Sequence, residues 1–202
     1  MHHHLVDPID PATSDPRTHQ HNDVKPVSVL FVCLGNICRS TMAEACFRSL
    51  VNYDTPSQHH LIKEVDSCGT GAYHVGDPAN SKTLSVLASN GIKGYKHRAR
   101  KVNSPEDFVK FDYVIGMDAD NVEDLRDLVK RAVKKGALSA EAGERVHLYG
   151  EFGGKTRGEE VADPYYGGRE GFEAAYKQVT RFGKGLLEHI EEQGAVRNKD
   201  EK

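Results

Sequence analysis

Tryptophan is absent from the 202 residues, methionine occurs three times and cysteine four. So few cysteines in a chain this long do not make a disulfide scaffold, and their spacing fits no zinc ribbon, so reduced thiols are expected. No window reaches the roughly 18 apolar residues of a membrane span, and the N-terminus lacks a signal-peptide apolar region. The expectation is a cytoplasmic protein with no membrane partner. An excess of one charge is missing too: the net charge of −3 gives no support for nucleic-acid binding, which needs a clustered basic surface. One tempting nucleotide motif fails: Gly153-Gly154-Lys155-Thr156 ends like a phosphate-binding loop, but the pattern requires glycine where Tyr149 stands. No cofactor is expected and no metal site. The histidines at positions 2–4, His19 and His21 suggest at most adventitious metal binding.

What is present suits one soluble domain with tails: 38% apolar residues, seven phenylalanines and eight tyrosines, enough for a substantial core. Residues 1–26, rich in Pro, Asp and His and without apolar periodicity, read as a disordered extension. The domain then spans 27–193, and 194–202 is a charged, frayed tail.

Strand-like and helix-like stretches alternate across the domain. Strands are expected at Val27–Val32, Leu61–Asp66, Phe111–Met117 and Arg145–Tyr149. Helices are expected from Met42 to Leu50, from Asn80 to Asn90 with Gly91 as the stop, after a cap at Asp118 or Asp120, and from Gly168 to Gln193. In the last helix Phe172, Tyr176, Val179, Phe182, Leu186, Leu187 and Ile190 recur at helical spacing as an apolar stripe. Such alternation implies an α/β domain of three layers. It would hold a central parallel sheet of about four strands with helices on both faces, and its site would lie at the carboxyl ends of the strands.

The first strand runs straight into Cys33-Leu34-Gly35-Asn36-Ile37-Cys38-Arg39-Ser40, a loop that joins a strand end to a helix start. Free amides at a helix N-terminus, helped by the macrodipole, form an anion site, and Gly35 lets the backbone approach a ligand. Arg39 can give two parallel hydrogen bonds to phosphate, and the same positive surroundings favour Cys33 as the attacking thiolate. The competing reading is a buried packing cysteine beside a surface arginine. The C-x5-R-S pattern within VLFVCLGNICRS resembles the low-molecular-weight protein tyrosine phosphatase family, and the likeness extends from Val27 to Glu192.

That resemblance implies metal-independent hydrolysis of protein phosphotyrosine and small aryl phosphates through a phosphocysteine, with Cys33 as nucleophile and Arg39 as phosphate clamp. Such chemistry needs an acid on another segment. Asp163-Pro164-Tyr165-Tyr166 resembles the family's acid loop, with Asp163 as general acid and base and Tyr165 and Tyr166 as aromatic walls. The resemblance also puts Tyr73 on the cleft wall with Leu34, His97 behind the loop as a brace through Ser40 or Asn36, and Asp118 at the cleft border or as a helix cap. Ser40 would bond Cys33, cap the helix, or both, and Asn36 would support the loop shape by bonding neighbouring backbone, since asparagine tolerates left-handed conformation. Cys38 is either a trap for oxidised Cys33 or a small buried filler. Cys46 reads as packing. Thr41 stands where many members have proline, and Lys130–Glu144 reads as a variable solvated connection.

Arsenate reductase resembles the same loop but needs two relay cysteines, and none follows Cys68. Protein arginine phosphatases place threonine at the position of Ile37. A catalytically quiet phosphotyrosine-binding or redox-sensing protein is the alternative outside enzymes. The expected partners are phosphotyrosine proteins or aryl phosphates with inorganic phosphate as product, for a monomer or a weakly self-associating chain.

Overall fold

The computed structural model describes residues 24–200, and their side chains as far as 196. Residues 1–23, which hold most of the expected 1–26 extension and its histidines, lie outside the described residues, as do 201 and 202.

Strand β1 (Val27–Cys33) is buried on both faces, so its near-continuous apolar run reads as an interior parallel strand. It pairs in parallel with β2 (Ile62–Gly69) on one side and β3 (Tyr113–Gly116) on the other, and β3 pairs in parallel with β4 (Val146–Leu148). The order β2-β1-β3-β4 makes the crossovers diverge on either side of β1, so the crevice for a ligand opens at its carboxyl end.

Alternate β1 side chains feed two cores. Val29, Phe31 and Cys33 join the layer of α1 (Arg39–Leu50), α2 (Ser81–Ser89) and α5 (Arg169–Asp200). Leu30 and Val32 join that of α3 (Glu106–Lys110) and α4 (Ala119–Lys134). The three-layer α/β expectation is met.

Several boundaries differ from the sequence reading. Helix α1 begins at Arg39 rather than Met42, which brings the arginine into its first turn. Strand β2 runs three residues beyond Asp66 because Gly69 is held by Arg100 and Val102 through backbone bonds of 2.8 Å. Helix α3 was not foreseen, since five residues are too short to show a period. The segment Lys130–Glu144 is not all connection: its first residues finish α4, and Ala140–Arg145 forms a 3₁₀ turn. Helix α5 continues past Gln193 to Asp200. Gly194, the first residue of the expected tail, permits close packing there: a Cβ would lie 3.3 Å from Leu61 Cδ1 and 3.4 Å from Val24 Cγ1.

Candidate active site

Beyond Cys33 the chain folds around the carboxyl end of β1 and enters α1, whose first-turn amides have no partner within the helix. Asn36 makes the reversal in left-handed conformation, with φ of 57°. Its side chain then ties the loop down: Nδ2 donates to Ser40 Oγ at 3.0 Å and Ser67 Oγ at 2.9 Å, and Oδ1 accepts the Arg100 amide at 2.9 Å. Its carbonyl accepts from His97 Nε2 at 2.6 Å and from Thr41 Oγ1 at 3.0 Å. The brace expected of His97 therefore acts on Asn36, and Thr41 adds a bond that proline could not. Glu44 closes the network by accepting from Ser67 and pairing with Arg48 at 2.9 Å. Gly69 keeps this packing close, because a Cβ there would stand 2.6 Å from the Leu34 carbonyl oxygen.

The Cys33 thiol is buried, 3.0 Å from Ser40 Oγ, and accepts the Asn36 amide at 3.3 Å. Arg39 is only 4% exposed. One terminal nitrogen bonds Asp118 and the Val161 carbonyl at 3.2 Å; the other meets Asp163 Oδ2 at 3.1 Å. Burial alone would depress the guanidinium, but Cys33, Asp118 and Asp163 outweigh it and raise it above the ordinary arginine value. Asp118 caps α4 by accepting the Asn121 amide at 2.8 Å, and it reaches the site through Arg39 rather than by lining the cavity. Asp163 Oδ1 accepts the Tyr165 amide at 3.1 Å, a local turn that aims the other oxygen at Arg39.

A cavity of about 320 Å³ collects these groups. Cys33, Leu34, Gly35, Asn36, Ile37, Cys38 and Arg39 form its floor, and Tyr73, His74, Asp163, Tyr165 and Tyr166 its walls. Ser40, His97 and Asp118 stand behind it and act through the floor. The walls are open: Tyr73 is 79% and Tyr166 94% exposed. His74 escaped the sequence reading although it adjoins Tyr73; its Nδ1 lies 3.0 Å from Asp77 and its ring 6.2 Å from that of Tyr165. Burial, then the neighbouring Cys33, pushes the Cys38 thiol up to about 12. Cys46 and Cys68 are raised by burial as well. Among the described residues no cluster of three or more His, Cys, Asp or Glu is arranged to hold a metal ion, and no helix is long and apolar enough to cross a membrane.

Residues 28–196 match the family described as low molecular weight phosphotyrosine protein phosphatase. The chain belongs to that family. It is accordingly an enzyme of the cysteine-dependent phosphatase class. The low molecular weight phosphotyrosine protein phosphatase of Schizosaccharomyces pombe is 43% identical over 166 residues, 82% of this chain and 98% of its own. The Homo sapiens protein of the same name is 38% identical over 161 residues, 80% and 94% of the two chains. A solved protein tyrosine phosphatase from Entamoeba histolytica, with Hepes in its active site, superposes at a TM-score of 0.70 and 34% identity. It covers 83% of this chain, which in turn covers 98% of that one.

Proposed function

We propose that the chain hydrolyses protein phosphotyrosine and small aryl phosphates in the cytoplasm, without a metal ion, by way of a phosphocysteine on Cys33. The observation that carries this reading is the convergence of the Cys33 thiol, the Arg39 guanidinium and the Asp163 carboxyl on one cavity walled by tyrosines. The names of the relatives from S. pombe and H. sapiens support the substrate class.

Cys33 thiolate attacks phosphorus in line, and the S–P bond forms as the P–O bond to the phenol breaks. Arg39 and the loop amides hold the equatorial oxygens, while Asp163 gives its proton to the departing phenolate. In the second step Asp163, now carboxylate, takes a proton from water as that water attacks phosphorus. The S–P bond breaks, Cys33 leaves as thiolate with Ser40 at hand to bond it, and inorganic phosphate is released. Tyr73, Tyr165, Tyr166 and Leu34 wall a slot that a phenyl phosphate can fill, and a shorter phosphoserine would reach the nucleophile poorly. The chain acts either as a monomer or with weak self-association through the exposed tyrosines.

The test is the pH profile of p-nitrophenyl phosphate turnover with reductant and no added metal. Wild type should give a bell. Cys33→Ser should be inactive; Asp163→Ala should lose the alkaline fall and, with phenyl phosphate, whose leaving group needs the proton, about 10²-fold or more in kcat/KM. No turnover by the wild type at any pH would sink the reading and leave phosphate binding or redox sensing in its place.

A further inference from the structure

The loop that carries Asp163 is pinned at both ends, and its second anchor lies on a helix outside the catalytic pocket. On the N-terminal side, Glu160 accepts the Ala119 amide at 2.8 Å, Gln178 holds the Glu160 carbonyl at 2.9 Å, and the Val161 amide bonds Met117 O at 2.9 Å. From there residues 162–168 are exposed except for Pro164. The stretch ends in the pair Gly167-Gly168, which would leave the Asp163 segment, beyond the bonds of its carboxyl to Arg39 and the Tyr165 amide, free to swing from this side.

Helix α2 supplies the second hold. Lys82 Nζ donates to the Gly167 carbonyl at 3.1 Å while lying 5.7 Å from the Phe172 ring centroid. Arg169, the first residue of α5, spends its whole guanidinium on the same junction: Nε to Glu173 at 2.9 Å, one terminal nitrogen to Ser85 Oγ at 2.8 Å and the other to Ser89 Oγ at 3.0 Å. An isolated exposed pair contributes little. Here, however, Glu173 fixes the plane of the fork and two hydroxyls spaced one helical turn apart receive it, so orientation as well as charge is specified. Neither Lys82 nor Arg169 lines the pocket, and both are exposed.

We propose that Lys82 and Arg169, with Ser85 and Ser89 as receivers, are positioning residues that hold Asp163 at the distance proton transfer to the leaving oxygen demands. This rests on Asp163 being the general acid. A misplacement of about 1 Å is enough to cost up to 10²-fold in such a step. The effect should fall on substrates whose leaving group needs the proton. Phenolate leaves poorly without one; p-nitrophenolate leaves readily.

The experiment compares kcat/KM for phenyl phosphate and p-nitrophenyl phosphate in the full chain. Its variants are Lys82→Met with Arg169→Ala, and separately Ser85→Ala with Ser89→Ala, which cuts the same anchor from α2. Phenyl phosphate should lose about 10-fold and p-nitrophenyl phosphate less than about 2-fold, with the Lys82→Arg single variant close to wild type. Asp163→Asn runs alongside and should show the same selectivity, more steeply. Equal losses on both substrates, or none on either, while Asp163→Asn remains selective, would overturn the proposal alone. An unselective Asp163→Asn would overturn the acid assignment, and the purpose of the anchor with it.

Discussion

Asn36 shows how much one side chain can settle. Its left-handed backbone turns the phosphate loop, and its amide group joins that loop to Ser40, Ser67 and the amide of Arg100. Asn36→Gly keeps the backbone freedom and removes every side-chain bond, so it separates conformation from bonding. It should lower stability by about 2–4 kcal/mol in urea denaturation, because the part-buried amide of Arg100 and the buried hydroxyls of Ser40 and Ser67 lose a partner. A variant as stable as wild type would show that the network contributes nothing. The sequence suggested the left-handed turn, since asparagine tolerates it. What it did not reveal was the reach to Ser67, through it to Glu44, and to Arg100, because Ser67 and Arg100 meet Asn36 only once β2 lies beside β1. The same holds for Asp118, whose capping role is local and legible, whereas its contact with Arg39 spans two strands. Cys33, Arg39 and Asp163 were legible because each lies in a short motif with a chemical logic of its own.

Elements were legible where periodicity was long. The apolar stripe of α5 and the buried run of β1 identified themselves, while α3 is tied in by contacts that no pattern displays: Asp107 takes the Asn103 amide at 2.8 Å and both terminal nitrogens of Arg100. The seam between α5 and the loop leading to Asp163 is held by Arg181, whose hydrogen bonds hold the Glu159 carboxyl down to about 2 from an ordinary 4.5. A carboxyl lowered in the folded state adds stability that is complete above about pH 4.5 and is lost as pH falls through about 2. Thermal unfolding followed from pH 6 to pH 2 should therefore show Glu159→Gln starting below wild type and the two curves converging at the acid end. Parallel curves would mean that this pair plays no part in acid sensitivity.

For the whole molecule, two cores share one sheet, and the layer containing α1 and α5 is the richer in aromatics. Phe31, Phe47, Tyr149 and Phe182 are fully buried there; Phe182 meets Tyr149 edge-on at 5.4 Å, and the Tyr149 hydroxyl donates to Val179 O at 3.1 Å. Phe182→Ala should cost about 3–5 kcal/mol in urea denaturation through lost burial and the cavity left behind. A loss below about 1 kcal/mol would show that α5 can collapse onto the space. The pocket at the other end of this sheet holds Arg39 between Asp118 and Asp163, and that arrangement bears on turnover. A guanidinium so enclosed would be a stranded cation if phosphate alone neutralised it, and departure of the product would be opposed by the full strength of that attraction. With the Asp118 carboxylate already in reach, and Asp163 able to rejoin it once it sheds the proton taken from water, an outgoing phosphate exchanges places with groups the protein owns. Its hold is then only the margin between two sets of partners, which favours a site that empties readily between cycles.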